Sequence, residues 1–237
     1  MSDLYYAAAY WSGRRESAEE CAGRAATFFR LLSACHSDYG RWYEKAGAGR
    51  KTPPLKVEPT RETFVQLFGM KRYQAGNDGF SFETWTGHPD NQGGMVLLGC
   101  GEGGERVTNL AQLYCPSEPP GRDRLVTRAV LSGVVRAMVL AWEPDWAVVT
   151  PDDFRDELSE TGLPGTFVGW MTYYSRQWGD VPTLPEPVEV SPVEDKGTLV
   201  VLTPERLEAT NAEHLALGRR VQEVLGEAGM LRRVGST

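Results

Sequence analysis

"MVLLGCGEGGERVTNLAQLYC", residues 95–115, decides between two folds. An apolar run from Met95 to Leu98 leads into Gly99-x-Gly101-x-x-Gly104, the spacing of a dinucleotide-binding turn. In that turn the third glycine opens a helix whose N–H groups hold a pyrophosphate, and the unit starts a parallel βαβ fold. The residues after Gly104 do not read as helix: Val107, Thr108, Leu113 and Tyr114 favour strand, and Asn109 is a poor helix residue. Glu102 and Glu105 would set carboxylates beside bound phosphates, and only Glu118, in a proline-rich turn, stands in for a ribose-binding acid. The stretch reads instead as strand, tight glycine turn and strand, with Gly101, Gly103 and Gly104 supplying backbone freedom. That makes the sheet antiparallel.

Neighbouring segments fit this reading. "GFSFETWTG" (79–87) alternates Phe80, Phe82 and either Thr84 or Trp85, and forms a meander with 95–100 and 107–115. "LYYAAAYW" (4–11) is a short aromatic run closed by Ser12-Gly13, a buried strand. Ser17-Ala18-Glu19-Glu20 has the form of a capping box, and Cys21, Ala25, Phe28 and Leu32 then recur at helical spacing for about four turns. Residues 47–59 read as a loop and Thr60–Phe68 as a short helix. Arg122–Ala141 reads as the longest helix, with Val126, Val130, Val134, Ala137 and Ala141 on one face. Gly133 within it either admits a close neighbour or weakens it.

Two segments echo each other. Val148–Asp152 and Val201–Glu205 both read as strand, Thr N-cap, Pro at the first helical position and an acid in the first turn. "GWMTYYS" (169–175) likewise echoes the first strand. One domain over 1–237 is expected, with similar halves of about 1–142 and 143–237 raised by these echoes; their unequal spacing stops short of a repeat. "VPTLPEPVEVSP" (181–192) reads as an extended connection, and Asn211–Ala228 as a final helix stopped by Gly229. Grouped strands with helices between them and at the end define an α+β fold, a mostly antiparallel central sheet with helices packed over it.

The 32 acidic and 25 basic residues leave a net charge of −7, which disfavours non-specific nucleic-acid binding and suits a basic partner. The longest apolar run, Leu125–Trp142, is interrupted by Arg128 and Arg136 and does not read as a membrane span. There is no signal peptide pattern, and Cys21, Cys35, Cys100 and Cys115 lie far apart, so the reading is of free thiols in a cytoplasmic protein. The tryptophans read as core.

Catalytic patterns are sparse. Pro151-Asp152 with Glu194-x-Lys196 matches the loose P-D…E-x-K pattern of metal-dependent nucleases. Glu194-Asp195-Lys196, however, sits between Pro192 and Gly197 and reads as a turn, and Asp152 is explained as a first-turn acid. His36, His88 and His214 show no metal-ligand spacing, and Ser132 has no identifiable base. Arg124, Arg128, Ser132 and Arg136 fall four apart and read as the solvated face of a helix. Asp152, Asp153, Asp156, Glu157 and Glu160 form an acidic cluster that helix-start electrostatics explain only in part; they are the candidate partner-binding residues. No catalytic, cofactor or metal residue is expected.

"YYAAAYWSGRRESAEECAGRAATFF" (5–29), "GWMTYYS" and "GTLVVLTPERLEATNAEHLALGRRVQEVLGEAGML" (197–231) resemble, in order, immunity protein family 52 of bacterial polymorphic toxin systems. The resemblance implies a non-enzymatic α+β protein that occludes a cognate toxin delivered by contact-dependent or type VI-type secretion. It implies a toxin similar to restriction-endonuclease-fold nucleases, met in the cytoplasm, with no direct nucleic-acid or membrane contact. The alternative reading of the residues is a small metal-dependent hydrolase using Asp152 and Glu194, and a nucleotide-binding module using 99–104 is a third.

Overall fold

The computed structural model describes residues 4–44, 55–88, 92–105 and 107–235. In chain order the first half holds β1 (Tyr5–Ser12), α1 (Ala18–Cys35), β2 (Trp42–Glu44), β3 (Lys56–Val57), α2 (Arg61–Phe68), β4 (Gln74–Ala75), β5 (Gly79–Trp85), β6 (Met95–Cys100) and β7 (Thr108–Tyr114). The second half holds α3 (Gly121–Leu125), α4 (Arg128–Trp142), β8 (Trp146–Pro151), α5 (Asp152–Leu158), β9 (Met171–Ser175), β10 (Glu189–Val193), β11 (Gly197–Val201) and α6 (Ala212–Glu227). One sheet of 11 strands runs β10-β11-β9-β8-β1-β7-β6-β5-β2-β3, with β4 beside β5. Its described pairings are antiparallel, so the fold is α+β. Central β1 joins the early strands, through β7, to the late ones, through β8.

The glycine stretch is a hairpin between β6 and β7, with no helix opening at Gly104. Its connection is longer than a tight turn, and its glycines serve different ends. Gly101 has φ +85°, the left-handed region that glycine tolerates best. Gly103 and Gly13 instead permit close approach: a Cβ on Gly103 would lie 2.7 Å from Arg15 Cβ, and one on Gly13 2.1 Å from the Gly104 carbonyl oxygen, whereas one on Gly104 would meet Val107 at 3.0 Å. Buried Asn109 secures the loop. Its Nδ2 donates to the carbonyls of Glu102 (3.1 Å) and Ser12 (3.3 Å), and its Oδ1 accepts from the Glu102 N–H (3.3 Å).

Local signals hold where they close within a few residues. At α1 both arms of the capping box form, Glu20 N–H to Ser17 Oγ (3.3 Å) and Ser17 N–H to Glu20 Oε2 (2.8 Å). The expected 122–141 helix is broken, because Thr127 takes an extended conformation and accepts from the Val130 N–H, capping α4 afresh. Thr150 does not cap α5: it pairs with Tyr6 inside the sheet, and Pro151 occupies the cap position. No helix follows Thr203-Pro204. Trp170 Nε1–H donates to the Thr203 carbonyl (2.9 Å) and the Tyr5 hydroxyl to the Leu207 carbonyl, so tertiary partners claim groups a helix would use. Residues 189–193 of the expected connection form edge strand β10, and 56–57 of the expected loop form β3. Residues 47–54 of that loop lie outside the described residues.

Strand alternation sorts side chains onto two faces. On the helical face, Trp11 stacks on Trp142 of α4, Phe82 meets Phe64 of α2 edge-on, and Phe80 stacks on Phe68. Gly133 of α4 lets Cys35 of α1 approach; a Cβ there would lie 3.1 Å from the sulfur. Helices α1, α2 and α4 thus cover this face. On the opposite face Trp146 meets Phe167 edge-on, and α5 packs beside α6, where Phe154 lies against Gly218. That second cover lies over β8 and β9.

Two arginines close the C-terminus of α4: Arg14 donates to the Trp142 carbonyl (2.8 Å) and Arg24 to that of Ala141 (3.0 Å). Buried Glu16 pairs with both, at 3.2 and 2.6 Å. Arg24 also reaches Glu143 (3.3 Å), which pairs with Lys196 in the β10–β11 turn (2.6 Å).

Candidate functional site

The acidic cluster occupies α5 and the chain just after it, where β8 leaves the sheet. The Asp152 N–H bonds the Leu4 carbonyl (3.1 Å), holding the start of α5 against the start of β1. Arg155 lies among the acids, donating to Asp152 Oδ1 (2.7 Å) and Asp156 Oδ1 (2.8 Å), while its guanidinium sits 5.8 Å from the Tyr6 ring centroid. Arg219 of α6 reaches Glu157 (3.3 Å). Asp153 and Glu160 are exposed. The cluster is therefore less negative than its sequence reads, with two arginines set against five acids. It keeps a net negative charge and gains a rigid guanidinium at its centre.

Burial raises the Asp152 carboxyl above its ordinary range; Arg155 opposes this and Asp156 adds to it. Burial pushes Tyr6 up to about 12, against the Arg155 hydrogen bond. Tyr10 is raised too, by burial first and then by Tyr6 and Tyr114 beside it. Tyr6, Tyr10 and Tyr114 thus share one face with Asp152 and Arg155. Spacing pointed to the acids but not to these tyrosines, which reach α5 only through strand pairing. Arg155 was legible in principle, three residues from Asp152 on a short helix.

The other candidates are dispersed. Glu194, with φ +49°, and Lys196 form the β10–β11 turn, level with the start of β8, whereas Asp152 follows its end. At about 3.3 Å per residue, the six residues of β8 hold them about 20 Å apart along the strand. They do not share a site. Arg124, on α3, pairs with Asp38 (2.9 Å) and Arg128 with Glu189, both at the protein surface, while half-buried Ser132 meets the Met171 sulfur; Arg124 therefore stands on a different helix from Arg128, Ser132 and Arg136 of α4. His36 caps a short turn, accepting from the Asp38 N–H (3.1 Å), and His214 accepts from the Glu208 N–H (3.1 Å). Among the described residues no three His, Cys, Asp or Glu side chains gather as a metal site, and no helix is long and apolar enough to cross a membrane. All four cysteines are free; Cys21, Cys100 and Cys115 are buried. Five tryptophans are buried, and Trp85 and Trp178 only partly so.

The family model described as Immunity protein 52 matches residues 3–234. No curated protein matches the sequence. The Pseudomonas aeruginosa T6SS protein PA0821 is similar in structure, with a TM-score of 0.56 at 12% identity, over 97% of this chain and 73% of that one. That likeness is one of fold.

Proposed function

The chain belongs to the immunity protein 52 family, and from that premise we propose that it binds a cognate antibacterial toxin and neutralises it by stoichiometric occlusion. The observation that carries the reading is the match across residues 3–234. In finer detail, the toxin is a nuclease-type effector met in the cytoplasm, and the immunity protein contributes no catalysis. The net charge of −7 and the acids of α5 support a basic partner surface, since complementary charge speeds encounter and fixes register. Asp152, Asp153, Asp156, Glu157 and Glu160 are assigned to that contact. The proposal takes the chain as one binding domain, because the sheet crosses the 142/143 boundary through the β1–β8 pairing.

The test is co-expression with the toxin encoded by the adjacent reading frame. Toxicity should be lost and a stable complex should co-elute in size-exclusion chromatography. A toxin that kills equally well in its presence, with no complex formed, rules the reading out.

A further inference from the structure

Among the described residues, the opposite face of the sheet is covered over β8 and β9, while over β7, β6, β5 and β2 its side chains keep partial or full exposure. Strand register identifies the side chains on it. Lys56 pairs with Tyr43, Tyr43 with Trp85, Trp85 with Met95, Met95 with Tyr114, and Tyr114 with Tyr6, one row across six strands. A second row runs from Glu83 through Leu97 to Gln112, and a third from Ser81 through Gly99 to Leu110 and Tyr10. The alternating residues between them, Val96, Leu98, Ala111 and Leu113, are buried under the helices. In contrast Met95, Leu97, Leu110 and Trp85 are only partly buried, and Tyr114 is 38% exposed.

A strand with water on one face is expected to alternate apolar and polar residues. β6 does not: "MVLL" is apolar toward both faces. A contiguous apolar and aromatic patch of this kind marks an interaction surface. Its charged border includes the α5 cluster, which stays net negative around Arg155, the group set over Tyr6. Exposed Glu83 lies within the second row, and exposed Glu105 follows β6 in one pocket with Arg232 and Arg233. Lys56, at the far edge, is paired with Glu58 (2.7 Å).

We infer that this open sheet face, centred on Leu97, Gly99 and Tyr114 and bordered by the α5 acids, is where the chain receives a partner protein with an apolar centre and a basic rim. The inference rests on the immunity reading and places the toxin on this face. Size supports including the border. With strands about 4.8 Å apart and about 3.3 Å per residue, the open face spans about 15 by 20 Å, on the order of 300 Å² in projection. A standard interface buries about 800 Å² per partner, so the face supplies its apolar centre and the acids its rim. Charge chooses the occupant. A second copy packed face to face would bring acidic borders together, whereas a basic partner neutralises them.

Gly99 provides the sharpest probe. Its backbone is extended, and a Cβ there would make only ordinary contacts with Leu110, 3.7 Å at the nearest. Gly99→Arg and Leu97→Arg place bulk and positive charge on the face without entering the core. Glu62→Arg, exposed on α2 across the sheet, is the control. With the purified toxin from the adjacent reading frame, both face variants should bind about 100-fold more weakly, as loss of an interface centre does. The control should bind like wild type, with all three variants retaining the wild-type circular dichroism spectrum. In wild type, hydroxyl-radical oxidation of Trp85, Met95 and Tyr114 should fall when the complex forms. Absence of any wild-type complex overturns the immunity reading and this inference with it. A complex that the face variants form as tightly as wild type, or that leaves oxidation of the three side chains unchanged, overturns the face alone. Protection in the free protein that is lost when a dimer dissociates assigns the face to a second copy and also overturns it.

Discussion

At Gly101 the backbone turns with φ +85°, and a Cβ would lie 3.0 Å from the Phe80 ring and 3.1 Å from the Glu16 carbonyl oxygen. Two residues earlier Gly99 is extended and has room for a Cβ. One motif thus holds glycines of opposite sensitivity. Gly101→Ala should destabilise the protein by about 1–3 kcal/mol, the cost of forcing a side chain into the left-handed region. Gly99→Ala should stay within about 0.5 kcal/mol of wild type, as a substitution without strain does. Urea denaturation of the two variants checks the contrast, and equal losses would refute it. The need for a turn was legible in the residue type. Which glycine carries it was not, because Gly103 answers to Arg15, about ninety residues away in sequence.

Elements were legible when their start signals closed locally. Ser17 and Glu20 announce α1 because both partners lie within one turn. Thr127 is as good a cap, yet continuous helical spacing across 122–141 hid it. Thr127→Ala should cost about 1 kcal/mol, read as a lowered urea midpoint at unchanged slope; an unchanged midpoint would mean the hydroxyl does not cap α4. The matching Thr-Pro-acid patterns at 150–152 and 203–205 diverge for tertiary reasons. At the first a short helix forms; at the second Trp170 and Tyr5 hold the backbone carbonyls. Among the candidate acids, α5 was legible as a local run. Its pairing with Arg219 and its closeness to Tyr6 depend on α6 and β1.

Across the whole molecule, ion pairs join regions far apart in sequence, and they make acid a structural perturbant. The Lys196 hydrogen bond holds Glu143 below its ordinary value of 4.5, and Arg124, working against burial, holds Asp38 below 3.8. A carboxyl with a lower pKa folded than unfolded contributes stability above the unfolded value and loses it as pH falls through the folded one. Tm should therefore decline as pH drops below about 4.5, and Glu143→Gln should start lower at neutral pH and decline less steeply. Parallel curves for the variant and wild type would exclude that contribution.

That the sheet is antiparallel and the class α+β was already legible in the residues, because strand alternation, capping boxes and glycine turns act over a few residues. The sequence also carried the family. Tertiary structure alone decided the strand order, which sets β1 between β7 and β8, and, among the described residues, left one face partly exposed over β7, β6, β5 and β2. The physical reason is range: a pleat dictates that alternate side chains point to opposite sides, but which side is covered depends on where distant helices come to rest. "MVLL" could be read as strand from its residues. That Met95 and Leu97 stand on the uncovered side could not.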